Sequence, residues 1–212
     1  MSNDPFRLRN DKLGQKVVAA LKKRFFDAYY VGTKEEALET ALKLIPEGDS
    51  VSWGGAMSAV EIGLTKALHA GNYRVVDRDP LEGEARNEAM RQALLCDSYV
   101  MSSNAISEDG CLVNIDRVGN RVAAMCFGPK NVVIIAGVNK VAPTVQDAIV
   151  RARNYAAPVN AQRFPGKTGC NVTGACENCA TEDCVCSYIV TTRVCRPAGK
   201  IKVILVGEDL GF

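Results

Sequence analysis

The feature that most restricts the fold is an unbroken apolar run, Val132-Val133-Ile134-Ile135-Ala136, closed by Gly137. A strand with no polar side is buried on both faces, which is the situation inside a parallel sheet covered by helices above and below. Lys200-Ile201-Lys202-Val203-Ile204-Leu205-Val206-Gly207 closes the chain as another strand. Between the chain start and these runs, helical and extended patterns alternate. Leu13, Val17, Leu21 and Phe25 step by four, reinforced by Val18, Phe26 and Tyr29, which predicts an opening helix. Thr33-Lys34-Glu35-Glu36 is a capping box opening a second helix that ends before Pro46-Glu47-Gly48. Ser50-Val51-Ser52-Trp53 reads as a strand, and Ser58-Ala59-Val60-Glu61 as the capping box of a third helix that stops at Gly71. Tyr73–Asp77 is a strand, Glu84–Leu95 a helix and Ser98–Met101 a strand. Such alternation predicts an α/β domain with a largely parallel sheet.

Further on, Cys111–Ile115 and Arg121–Met125 flank Asp116-Arg117-Val118-Gly119-Asn120, and this pattern predicts a hairpin. Thr144-Val145-Gln146-Asp147 opens a helix stopping near Ala157-Pro158. The expected organisation is an α/β core over residues 1–160, a cysteine-rich segment over 161–197, and a C-terminal strand over 198–212 that returns to the core. A net charge of +2 gives no reason to expect nucleic acid or an anionic membrane as partner. The longest apolar stretch is far short of the ~20 residues a membrane span needs.

Six of the nine cysteines crowd together as C-x5-C-x2-C-x4-C-x-C-x8-C, from Cys170 through Cys176, Cys179, Cys184 and Cys186 to Cys195. The charged start Met1-Ser2-Asn3-Asp4-Pro5 does not read as a secretory signal, so a reduced, cytoplasmic setting is expected. There, dense thiols read as metal ligands rather than disulfides. Cys170, Cys176, Cys179 and Cys186 are the favoured ligands, Cys184 is a substitute, and Cys195 reads as a strand residue. Zinc and an iron–sulfur cluster both remain open, since each takes four thiolates. A metal would also stabilise a segment that has few large apolar side chains before Tyr188.

Four constellations could carry chemistry. Ser52-Trp53-Gly54-Gly55 is a strand–glycine turn where a ligand can approach the backbone, and an ordinary tight turn would look the same. Ser102–Gly110 follows a strand end and offers Asn104, Glu108 and Asp109, with Glu108 as nucleophile or general base. Asn114, Asp116, Asn120 and Arg121 surround the predicted hairpin tip. Lys140, in Gly137-Val138-Asn139-Lys140 beyond the buried strand, can hold an anion. The one histidine, His69, sits near a helix end, so nucleophilic triads are excluded.

Taken together, these segments resemble the LUD domain family, named for lactate-utilisation proteins. Ser52-Trp53-Gly54-Gly55 with Glu61-Ile62-Gly63-Leu64, Asn104–Gly110, Leu112–Asp116 with Gly119–Val122, and Val138-Asn139-Lys140 carry the likeness. The cysteines and the tail Val206–Phe212 are similar to those of its stand-alone members. Two positions depart from the family pattern: Ala56 stands where relatives tend to have serine, and Arg117 where glycine is usual. The resemblance implies a Rossmann-like sheet of the sugar-phosphate isomerase and CoA transferase type with a small cysteine-rich metal-binding appendage. It implies a role in oxidation of lactate or a related small organic acid, with the anionic ligand at the strand ends. Because no flavin or nicotinamide fingerprint is present, hydride chemistry would need oxidoreductase partner subunits. Glu108-Asp109-Gly110 also resembles the Glu-x-Gly turn of CoA transferases, leaving acyl or sugar-phosphate chemistry at Glu108 as an alternative. A non-catalytic, metal-braced assembly subunit is a third reading, and a homo-oligomer remains open.

Overall fold

The computed structural model describes residues 4–212; Met1, Ser2 and Asn3, with which the expected core begins, lie outside the described residues. Six parallel strands form the main sheet in the order β1 (Asp27–Val31), β10 (Ile201–Val206), β7 (Asn131–Gly137), β4 (Ser98–Met101), β2 (Ser50–Trp53), β3 (Arg74–Val76). The two apolar runs lie side by side at the centre, with Val203 opposite Ile134 and Leu205 opposite Ala136. Their side chains alternate between two cores, as strand pleating dictates. Val132, Ile134, Val203 and Leu205 pack with Val17 and Leu21 of helix α1 (Pro5–Lys23). Val133, Ile135, Ile204 and Val206 face the opposite way, onto Ala37 and Ala41 of α2 (Lys34–Leu44) and Leu64 and Leu68 of α4 (Leu64–Ala70). Each buried Val, Leu or Ile side chain contributes roughly 1.5–3 kcal/mol.

A second, four-stranded sheet runs in the order β8 (Val141–Ala142), β5 (Ala105–Ser107), β6 (Leu112–Asp116), β9 (Tyr188–Thr192). Its inner face packs on the alanines of a helix that starts at the Thr144 capping box as α7 (Val145–Arg151). That helix passes through a π-helical turn (Ala152–Ala156) into α8 (Ala157–Ala161), carrying it past the expected stop at Pro158. No helix among the described residues is long and apolar enough to cross a membrane.

Several local expectations are corrected. The opening helix ends at Lys23, and Phe25 takes a left-handed φ of 64° and stands half exposed. Tyr29 belongs instead to the edge strand β1. Residues 121–125 are not the return arm of a hairpin but part of helix α6 (Asn120–Cys126). Asp116 drives this: its carboxylate accepts the Arg121 and Val122 backbone N–H groups at 3.0 and 3.1 Å. The hairpin lies one strand earlier, where β5 pairs antiparallel with β6. Ser58 does not cap a helix. Helix α3 (Met57–Glu61) begins after Ala56 without a side-chain cap, and left-handed Gly63 separates it from α4. The cysteine segment contains the short helix α9 (Gly169–Val172), and its far end, β9, pairs with β6. Cys195 lies beyond β9 in an irregular turn, fully buried.

Candidate functional site

Because all strands of the main sheet are parallel, their C-terminal ends share one edge. The chain runs from β2 outward to β3 and then returns to β4 on the other side of β2. Strand order therefore reverses between β2 and β4, the place where open α/β sheets leave a crevice. A cavity of about 540 Å³ opens there. Its floor is the glycine turn after β2, its walls are Arg78 beyond β3 and Ser102–Asn104 beyond β4, and Lys140 closes it beyond β7. Asp116 and Arg121 line one side, while Arg163, Phe164 and Phe212 come from distant parts of the chain.

The cavity is strongly cationic. A side chain on Gly55 would sit 3.4 Å from Arg78 Nη2 and 3.7 Å from Arg163 Nη1, so both guanidinium groups converge over this turn. Arg78 Nε is buried without a hydrogen-bond partner, and its nearest carboxylate oxygen, Asp79 Oδ1, is 3.7 Å away. Asp79 also accepts the Trp53 indole N–H at 3.0 Å, which orients the wall of the turn. Gly54 is required by packing: a Cβ there would meet Arg121 Cδ at 2.9 Å.

Arg121 itself is saturated. It donates to Ser102 O and Asn114 Oδ1 at 2.8 Å, to Asn104 Oδ1 at 2.8 Å and to Ile115 O at 2.5 Å. It ties the strand end at Ser102 to β6, and burial pulls its pKa down. Lys140 is only 3 % exposed. Its Nζ lies 2.9 Å from Ser102 Oγ and 3.2 Å from Ser58 Oγ, and the two hydroxyls are 3.2 Å apart. Burial, then the charges of Arg151 and Arg121, pull its pKa down to about 7, with Glu61 opposing them. The expectation that nucleophilic triads are excluded considered histidine alone, and this serine–lysine triangle falls outside it.

The cavity therefore brings together Gly54, Gly55, Asn104, Asp116, Asn120, Arg121 and Lys140 of the expected ligand-binding set. Asn114 stands behind them, fully buried, as an acceptor for Arg121. Ser52 is buried and donates to Val76 O, bracing β2 on β3. Glu108 and Asp109 lie elsewhere, in the β5–β6 turn against α1, and do not line the cavity. Glu108 Oε2 pairs with Lys16 Nζ at 2.5 Å, and Asp109 Oδ2 with Arg24 Nη2 at 2.5 Å. Arg24 and a short bond from Ser107 hold the Asp109 carboxyl below its usual range, the serine bond being the larger influence. Sequence reasoning missed Arg78, Arg163 and the role of Ser58. Arg78 alone had a local signal, following a strand end at the same edge.

Of the cysteine set, Cys184 and Cys186 place their sulfurs 3.5 Å apart, close to the ~3.8 Å edge of a tetrahedron with 2.3 Å zinc–sulfur bonds. Cys176 Sγ faces Arg153 Nη2 at 3.9 Å, and Cys170 is buried beneath α8. Among the described residues, no group of three or more His, Cys, Asp or Glu side chains is arranged to hold a metal ion. The favoured four, Cys170, Cys176, Cys179 and Cys186, are thus not drawn into one shell, and all nine cysteines are free thiols.

Comparison with known proteins agrees with the fold. The family model described as LUD domain matches residues 14–206. A DUF162 family protein from Deinococcus radiodurans superposes with a TM-score of 0.53 at 13 % identity, covering 93 % of this chain and 98 % of that one. The eIF2B beta subunit from Chaetomium thermophilum reaches a TM-score of 0.39 at 19 % identity over 53 % of this chain and 44 % of its own, too slight a likeness to carry an argument. No curated protein matches the chain.

Proposed function

Since this chain belongs to the LUD domain family, we propose that its cationic cleft binds lactate or a related small hydroxy or oxo acid and serves that acid's oxidation. The observation that carries this reading is the convergence of the Arg78 and Arg163 guanidinium groups over Gly55. The Arg78 terminal nitrogen Nη2 is the one that faces the glycine turn, where a bound carboxylate would meet it. Planar guanidinium pairs also suit carboxylates through bidentate bonds. Oxidation then takes place with an oxidoreductase partner that supplies the electron acceptor. Titration calorimetry with a panel of C2 to C4 hydroxy and oxo acids tests the reading. Binding that weakens about tenfold or more in Arg78→Ala supports it; absence of binding to every acid, alone or with partner subunits, sinks it.

Acyl or sugar-phosphate chemistry through Glu108 has less support, because that carboxylate is paired with Lys16 away from the cleft. We also propose that the cysteine segment takes up zinc or an iron–sulfur cluster as a brace, with Cys184 and Cys186 as the first pair of ligands. The support is the 3.5 Å sulfur separation and the scarcity of large buried apolar side chains between residues 163 and 187. Cys170, Cys176 and Cys179 are the candidates for the remaining ligands. Elemental analysis and a visible spectrum on protein purified without oxygen decide it. About one zinc per chain, or thiolate-to-iron absorption, supports the proposal, and metal-free protein of full stability refutes it. Such a segment is in keeping with a reducing, cytoplasmic setting.

A further inference from the structure

The Ser58–Lys140–Ser102 triangle is not needed to bind a carboxylate, which Arg78 and Arg163 already suit. Three side chains nevertheless meet there with separations of 2.9, 3.2 and 3.2 Å. Two of them, Ser102 and Lys140, also line the cavity, whereas Ser58 lies behind and is fully buried. This is the arrangement of an activated nucleophile: a hydroxyl within hydrogen-bond reach of a base, and the base oriented by a third group. We propose that Ser102 is a nucleophile with Lys140 as its general base and Ser58 as a positioning residue, and that the cleft hydrolyses a small acyl ester or thioester bearing an anionic group. The inference rests on the cleft being the ligand site.

The surroundings support a neutral amine. Lys140 has no carboxylate within salt-bridge distance among the described residues. Of the charged groups around it, Arg151 and Arg121 disfavour the ammonium and Glu61 favours it, and its pKa is pulled down to about 7. A lysine desolvated beside other cations serves as a base at neutral pH. Gly211 closes the side away from the cavity: a Cβ there would meet Ser58 Oγ at 3.0 Å and Lys140 Nζ at 3.1 Å, so the amine is open only toward the cleft. Gly211 is held by Glu61, which accepts its N–H at 3.1 Å.

In the reaction, Lys140 takes the Ser102 hydroxyl proton as Oγ bonds to the acyl carbon. The arginine-lined wall favours the negative charge that develops on the carbonyl oxygen. Collapse breaks the bond to the leaving group, which receives the proton from the Lys140 ammonium. Water then attacks acyl-Ser102, giving its proton to Lys140, and the acid departs as Ser102 regains a proton from Lys140. The sum is ester plus water giving acid plus alcohol or thiol, with no oxidant or reductant.

The test uses the whole protein with two probes: a fluorophosphonate, and p-nitrophenyl hemisuccinate, an ester with a free carboxylate. The expected results are one phosphonyl group per chain, mapped to Ser102, and a nitrophenol burst equal to the protein concentration. Ser102→Ala should abolish both. Lys140→Met should slow acylation about a hundredfold or more, and Ser58→Ala about tenfold while leaving KM unchanged. Labelling elsewhere, no labelling, or full turnover in Ser102→Ala overturns the proposal. So does a borohydride-trapped imine between pyruvate and Lys140 without Ser102 modification, which would make the amine itself the covalent group. Calorimetric binding of the organic acids by the wild-type protein reports separately on the cleft: binding with no acylation of the wild type sinks only the nucleophile.

Discussion

Replacing Lys140 with methionine isolates the cost of burying its amine. In the folded chain the amine titrates near 7, pulled down from 10.5 first by burial and then by the charges of Arg151 and Arg121. In the unfolded chain it returns to the ordinary value of about 10.4. Between those values the unfolded state carries a proton that the folded state lacks, so stability rises with pH. Below about pH 7 both states are protonated and the full penalty is present, about 5 kcal/mol at ~1.4 kcal/mol per pH unit. The penalty is relieved by about 2 kcal/mol between pH 7 and pH 9 and vanishes above about pH 10.5. Methionine keeps an unbranched apolar stem of similar length and has no charge to bury. Urea unfolding of both proteins at pH 7 and pH 9 is the assay, with equal m-values as the control for two-state behaviour. Wild type should gain about 2 kcal/mol more than Lys140→Met across this interval. Other titrating groups, Lys200 and the thiols among them, are common to both proteins and cancel. Parallel pH dependences would refute the reasoning, because they would mean that the amine stays charged in the fold.

Glu108→Gln should leave acid binding in the cleft unchanged and cost less than about 1 kcal/mol, since the Lys16 side it loses is an exposed ion pair; calorimetry and urea unfolding check both parts. Arg121→Met should destabilise the protein by about 3–5 kcal/mol, because Asn104, Asn114 and two backbone carbonyls lose their donor; the measurement is the urea midpoint. Gly110→Ala should be comparably harmful: φ is +88°, and the new Cβ would meet the Ala20 backbone at 2.8 Å. A stability loss under about 1 kcal/mol would contradict that close approach.

The legible parts of the fold were those decided by continuous local pattern. The strand at Ser98–Met101 follows its sequence signal residue for residue, the Thr33 capping box forms, and a helix opens after Thr144 as expected. The opening helix misleads because Phe25 and Tyr29 continue its four-residue stripe, while the left-handed turn at Phe25 has no glycine to announce it. Residues 121–125 mislead because Val122 and Ala124 alternate like a strand, whereas the Asp116 carboxylate satisfies the first N–H groups of a helix. At the site, Gly54, Gly55 and Lys140 are readable because each follows a strand that ends at one edge. Arg163 is not, since it reaches Gly55 from 108 residues away. Ser58 has the spacing of a helix cap, and only the return of β4 and β7 beside it reveals its other partners.

A crystal structure grown with the tightest-binding acid of the panel tests the central claim most directly. The carboxylate should lie above Gly54–Gly55, held by the guanidinium groups of Arg78 and Arg163, with the rest of the acid directed toward Lys140. Density for the acid at another place, such as the depression beside Arg24, Asp109 and Arg193, with the cleft holding only water, would contradict it.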